Sequence, residues 1–111
     1  MNWRQLKAHC LSLDGAEETF PFGPDVSVFK ASNGKMFALS AADQRPLTVS
    51  VKVDPDEGVL LRETYESIEP GYHLNKRHWV TAALDGSLPR ALVGELVEDS
   101  YDLVAPRRKG A

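Results

Sequence analysis

Leu47-Thr48-Val49-Ser50-Val51-Lys52-Val53, followed at once by Asp54-Pro55-Asp56-Glu57, is the stretch on which the reading of this chain turns. Leu47, Val49, Val51 and Val53 alternate with Thr48, Ser50 and Lys52. Successive side chains of a strand point to opposite faces, so this is a strand with one buried side and one wet side. A helix begins directly behind it. Asp54 can accept from the free amides of the first turn, Pro55 brings the φ of the first helical position, and Glu57 stands where a capping-box acid belongs. The helix is expected to run to about Tyr65 and to bury Val59, Leu60 and the stem of Glu63. The acids here do not make a calcium loop, because Pro55 and the missing glycine and terminal glutamate break that pattern.

Upstream, the segments 26–31 and 35–40 flank Ser32-Asn33-Gly34, where Asn-Gly supplies the positive φ angles of a tight hairpin. The segment 41–46 is a polar connection. Before the hairpin, Glu17–Phe20 reads as an edge strand, and Pro21, Gly23 and Pro24 prevent a longer element. Phe20 and Phe22 are expected to cover the core. Glu17 and Glu18 are strand neighbours on opposite faces, so they cannot share an acid/base site. At the start, Trp3, Leu6, Cys10 and Leu13 make one face of a helix over 3–13, capped by Asn2 and ended by Asp14-Gly15, with His9 as a solvated side chain.

Downstream, Pro70-Gly71-Tyr72-His73-Leu74-Asn75-Lys76-Arg77-His78-Trp79 is the densest run of groups able to make directed contacts. A strand over 78–84 follows, Asp85-Gly86 turns the chain, and Ser87 caps a helix over 88–105. Leu88, Leu92, Leu96, Leu103 and Val104 form its buried stripe, thickened by Val93, Val97 and Tyr101. Pro106 stops the helix, and residues 105–111 read as a frayed basic tail carrying Arg107, Arg108 and Lys109. The elements add up to one α+β domain over residues 1–111.

At 111 residues, 42% hydrophobic and 26% charged, the chain can bury about two thirds of its unfolded surface. A single cysteine excludes an internal disulfide and a thiol zinc site, and Cys10 reads as a buried reduced thiol. No run approaches the ~18 apolar residues of a membrane span, so no membrane partner is expected and a cytoplasmic location is the default. The net charge is −3; residues 1–69 carry seven Lys/Arg against eleven Asp/Glu, and residues 70–111 carry six against five. Nucleic acid could therefore be met only through a local patch.

Catalytic motifs are absent: there is no phosphate-cradling glycine loop, dinucleotide fingerprint, paired cysteines or nucleophile elbow. His73 and His78, five apart, do not share a helix face, and no third metal ligand is evident. No catalytic residue, metal or cofactor is assigned. The central decapeptide admits two readings. In one, Tyr72 and Trp79 anchor a turn, Asn75 bonds loop amides, and Lys76 and Arg77 point to water. In the other, the same anchors hold Lys76 and Arg77 for an anionic group, Arg77 forking onto its oxygens and Lys76 adding a point charge.

The decapeptide, together with residues 13–23, Val28-Phe29-Lys30, Lys35-Met36-Phe37-Ala38, Asp54-Pro55 and Ser100-Tyr101-Asp102-Leu103-Val104, resembles the MmcQ/YjbR family of small bacterial proteins. Asp14 stands where that family often has proline, and Val80 where it often has asparagine. The resemblance implies a two-layer α+β fold, an antiparallel β-sheet covered by helices with frataxin-like topology, and a DNA-binding label attached to a pair of β-hairpin wings. On that footing the expected function is non-enzymatic DNA contact, weak and salt-dependent. Lys76, Arg77, Lys35 and Lys30 would meet backbone phosphates, with His73 and Asn75 adding donors. The alternative is a small-ligand (anionic) or protein-interaction domain using the face of Tyr72, His73 and Trp79, without nucleic acid. An enzyme ranks third, and the sequence leaves the oligomeric state open.

Overall fold

The alternating stretch at 47–53 lies inside a six-stranded, wholly antiparallel sheet whose strands, taken across it, cover 17–19, 27–30, 36–40, 48–52, 79–83 and 68–70. In this computed structural model, which describes residues 1–106, the elements are α1 (Trp3–Ser12), β1 (Glu17–Thr19), β2 (Ser27–Lys30), β3 (Met36–Ser40), β4 (Thr48–Lys52), α2 (Pro55–Thr64), β5 (Ile68–Pro70), β6 (Trp79–Ala83) and α3 (Arg90–Val104). The basic stretch 107–109 lies outside the described residues.

The pairing register puts Phe29, Ala38, Val51 and Val80 in one cross-strand row. These residues share a single core with Leu6 and Cys10 of α1, Leu61 of α2 and Val93, Leu96, Val97 and Val104 of α3. All three helices therefore cover one face of the sheet, and the fold is a two-layer α+β. Leu47, Val49, Val51 and Val53 are all buried, as their alternation requires, but Ser50 between them is buried too (3% exposed), so the opposite face of β4 is covered there rather than wet.

Two departures from ideal pairing shape the core. The register slips between Phe29 and Lys30, which pair with Ala38 and Met36, so Phe37 is an extra residue in β3. Such a bulge turns a side chain out of the strict alternation. Phe37 and Ala38 consequently both belong to the core. Beside it, the β3–β4 ladder stops after Ala38–Val51, and the fully buried Ser100 of α3 completes it. Its hydroxyl donates to Phe37 O (2.6 Å) and accepts from Lys52 N (2.8 Å), joining two strand groups that would otherwise be left without partners.

Several local expectations are corrected. Asp54 is the N-cap residue of α2 and its carbonyl accepts from Gly58 N, but its side chain makes no cap bond. Val59 and Leu60 are exposed, as is Glu63. Helix α2 packs through Gly58 and Leu61, which lie about 60° apart around the axis, leaving residues 59 and 60 on the far side. A Cβ at Gly58 would sit 2.9 Å from Val53 Cγ2, so the bare backbone is what lets α2 approach β4. In α3 the buried line runs through Val93, Leu96, Val97, Ser100 and Val104, and Leu103 is exposed.

Ser87 does not cap α3. It donates to Asp85 Oδ1 (2.6 Å), and the helix starts two residues after Leu88, behind Pro89. Of the hairpin pair only Gly34 has positive φ (82°); the amide of Asn33 instead donates to Val104 O, tying the turn to the end of α3. His9 is half-buried, its Nε2 3.1 Å from Glu98 Oε2 and 3.3 Å from Gly94 O, so it joins α1 to α3 rather than facing water. Phe20 and Phe22 are exposed, the latter 64%, because they lie away from the helix-covered face.

Cys10 sits wholly inside the core, and burial pushes its thiol up from 9.0 to about 12. The native thiol thus stays protonated where an unfolded one ionises. Its contribution to stability is intact below pH 9.0 and declines as pH rises from there toward about 12. Alkylation of native protein at neutral pH is expected to proceed only at the rate of unfolding, and rapid labelling without denaturant would contradict this placement.

Candidate functional site

The face of the sheet that carries no helix presents a second cross-strand row, Thr19, Val28, Leu39, Ser50, Thr81 and Glu69, fixed by the register of all six strands. Its floor runs from apolar to charged. Ser50 Oγ and Thr81 Oγ1 are 2.8 Å apart and satisfy each other in the middle of it.

The decapeptide folds over this floor. It leaves β5 at Gly71, whose amide donates to Trp79 O (2.9 Å), and Tyr72 N donates to Thr81 Oγ1 (3.1 Å). A Cβ on Gly71 would meet Trp79 Cβ at 2.6 Å, so the two ends of the loop are in direct contact. Asn75 Oδ1 accepts from the amides of Arg77 (2.9 Å) and His78 (3.3 Å), as expected of it, and His78 O accepts from Val53 N (2.8 Å) at the end of β4. His73 adopts a left-handed φ of 59°. That uncommon conformation for a residue other than glycine places its ring 4.0 Å, centroid to centroid, from that of Tyr72.

Between the loop and the segments 22–26 and 41–48 lies a groove with two adjoining parts that share Leu39, Gln44 and Tyr72. The apolar part, about 330 Å³, is completed by Phe22, Val26, Ala41, His73 and Leu74. The polar part, about 520 Å³, is completed by Thr48, Ser50, Glu69, Pro70, Lys76 and Thr81. Both parts are half open to solvent and combine apolar walls with a few convergent polar groups.

Of the expected anchors, Trp79 is buried and Tyr72 is not. Tyr72 is 68% exposed and forms a wall of the groove, because its side chain lies on the helix-free side and only its amide is tied down. Lys76 is exposed like Arg77, but its side chain does not extend outward beside it. Its Nζ folds back to donate to Gly71 O (3.2 Å) and lines the groove, while Arg77 and Lys35 are exposed and Lys30 is half-buried.

The register brings the β2–β3 turn, the end of β4 and the β5–β6 loop to one end of the sheet. Lys30, Lys35, Lys52, Lys76 and Arg77 gather there. Among the described residues the ion pairs are Lys7–Glu18 and His9–Glu98, and none of these five cations takes part in one. At the same end, Asp54, Glu57, Asp99 and Asp102 line a separate cavity between α2 and α3 together with Lys52. No group of three or more His, Cys, Asp or Glu among the described residues is placed to hold a metal ion.

Sequence reasoning missed Phe22, Leu39, Gln44, Ser50, Glu69 and Thr81 as groove residues. Alternation shows that Ser50 and Thr81 face away from the core, but only pairing register shows that they face each other.

A helix-backed antiparallel sheet with a loop-roofed groove on its free face defines an α+β domain of a particular kind, and its relatives are bacterial. A family model described as YjbR matches residues 11–103. The chain is 39% identical over 98 residues to the uncharacterised protein YbdF of Escherichia coli O157:H7, covering 88% of this chain and 80% of that one. It is 34% identical over 101 residues to the uncharacterised protein YjbR of Escherichia coli K12, covering 91% and 85%. A crystal structure of a Deinococcus radiodurans protein with domain DUF419 superposes with a TM-score of 0.86 at 47% identity, covering 93% of this chain and 78% of that one. One from Pseudomonas syringae does so at 0.81 and 32%, covering 93% and 98%. The chain belongs to the YjbR family. Among the described residues no helix is long and apolar enough to cross a membrane.

Proposed function

We propose that this YjbR-family domain is a non-enzymatic binding module whose working surface is the groove on the free face of the sheet, and that its ligand is a small molecule. The observation that carries this reading is the position of the decapeptide: Tyr72, His73, Leu74 and Lys76 all line one groove, held there by bonds from Gly71, Tyr72 and Asn75. A loop fixed by its own amides and by a buried tryptophan presents side chains with little further ordering on binding. A small-molecule screen read by backbone amide shifts is the test. Hits are expected to move Leu39, Ser50, Tyr72 and Thr81, and Tyr72→Ala is expected to weaken them roughly tenfold, the effect of losing about 1.4 kcal/mol of ring contact. Hits that cluster elsewhere, or that ignore Tyr72→Ala, would end the reading.

The cation-bearing end of the sheet favours a second reading, contact with duplex DNA. Lys35 sits at the β2–β3 turn and Arg77 in the β5–β6 loop, so the two hairpin connections leave the same end of the sheet, with Lys52 of β4 between them and Lys30 at the end of β2. Against it stand the net charge of −3 and the engagement of Lys76 with Gly71. Binding through four phosphate contacts would show a slope of log K against log salt of about −3.6. No binding at ~20 mM salt, or binding indifferent to salt, would remove it.

A further inference from the structure

We infer that the groove takes a zwitterion: a free α-amino acid with a bulky apolar or aromatic side chain. This rests on the groove reading above and adds the chemical class of the ligand. Among the described residues the polar part of the groove contains one carboxylate, Glu69, and one ammonium, Lys76, and they do not form an ion pair with each other. Lys76 is held by a single bond to Gly71 O (3.2 Å), so two of its three donors are free to meet an anion. A simple anion would be drawn to Lys76 and repelled by Glu69, and a simple cation would meet the reverse. A molecule with a carboxylate and an ammonium on one carbon satisfies both charges at once.

The floor gives the orientation. From Glu69 through Thr81 and Ser50 to Leu39 the row falls from charged through hydroxyl to apolar. Three strand spacings cover about 14 Å, room for a charged head at one end and a large side chain at the other. The side chain would enter the apolar part, between Phe22 on one wall and the Tyr72–His73 pair on the other. Aromatic walls favour an aromatic or a large aliphatic group there.

The test is an amide-shift titration of the intact protein with four probes: L-phenylalanine, phenylpropionate, which lacks the ammonium, phenylethylamine, which lacks the carboxylate, and glycine, which lacks the ring. L-Phenylalanine is expected to give saturable shifts at Ser50, Tyr72 and Thr81, and to bind about fivefold or more tightly than each of the other three. Lys76→Met should abolish the preference over phenylethylamine, and Glu69→Gln the preference over phenylpropionate. Both residues are exposed, and an unchanged spectrum outside the groove shows that each variant is folded. Equal or tighter binding of either single-charge aromatic probe, or preferences that survive both substitutions, overturns the zwitterion and leaves the groove reading standing. A groove that responds to none of the four also overturns the zwitterion, and the groove reading itself then stands or falls with the small-molecule screen.

Discussion

Phe37→Ala is expected to destabilise the protein by about 3–5 kcal/mol, the range for removing a fully buried ring whose site cannot collapse. Phe37 has no exposure, meets Tyr101 edge-on at 5.3 Å between ring centroids, and offers its carbonyl to Ser100. Denaturant unfolding with an unchanged m-value would report the loss, and Phe37→Leu should recover most of it, costing under ~1.5 kcal/mol. Strict alternation along β3 would place Phe37 on the side opposite Ala38, on the face without helices; the bulge carries it into the core. A loss below ~1 kcal/mol for the alanine variant would mean that the side chain is not packed beneath α3.

Gly71→Ala should have the second-largest effect, and it joins stability to the groove. The added methyl would come within 2.6 Å of Trp79 Cβ and 3.1 Å of Trp79 O. Neither atom belongs to the flexible end of a side chain, so β5 and β6 would have to separate. Overpacking of this kind costs about 1–3 kcal/mol. Separation would also lengthen the Gly71–Trp79 bond and lift Tyr72 from Thr81, moving a wall of the groove. The expected result is a lowered Tm together with loss of any ligand that wild type binds at Ser50 and Thr81. A variant with wild-type Tm would show that the two loop ends are not in contact.

Much of the architecture follows from local chemistry that acts within a few residues. The capping box of Asn2 and Gln5 and the left-handed Gly15 and Gly34 are such features, as is the four-residue alternation of β4. The failures are equally specific. Asp54 and Ser87 are correct residue types near helix starts, but which acceptor their side chains meet depends on rotamer and neighbours. Leu103 fits a helical stripe by hydropathy, yet the buried position belongs to Ser100, because two strand ends there need a hydroxyl between them. Hydropathy cannot anticipate a polar residue that is buried in order to complete another element's hydrogen bonding.

The candidate site was half legible. The decapeptide stands out because it concentrates aromatic, imidazole, amide and cationic groups, and its internal bonding through Asn75 is local enough to foresee. Its direction was not legible. Whether Lys76 reaches outward beside Arg77 or back to Gly71, and whether Tyr72 is an anchor or a wall, depends on what the loop folds against.

The sequence by itself determined the elements, their order and the face of β4 that is buried, since periodicity, caps and turn residues act over distances of a few bonds. The YjbR kinship is carried by the same ordered residues. Only the tertiary structure decided that Leu39, Ser50, Thr81 and Glu69 form one floor, because cross-strand register is set by pairing between residues up to 35 apart in the chain. It alone also put Lys76 and Glu69 in one groove and left the other cations at the rim, since the loop's path is fixed by its contacts with Trp79 and Thr81.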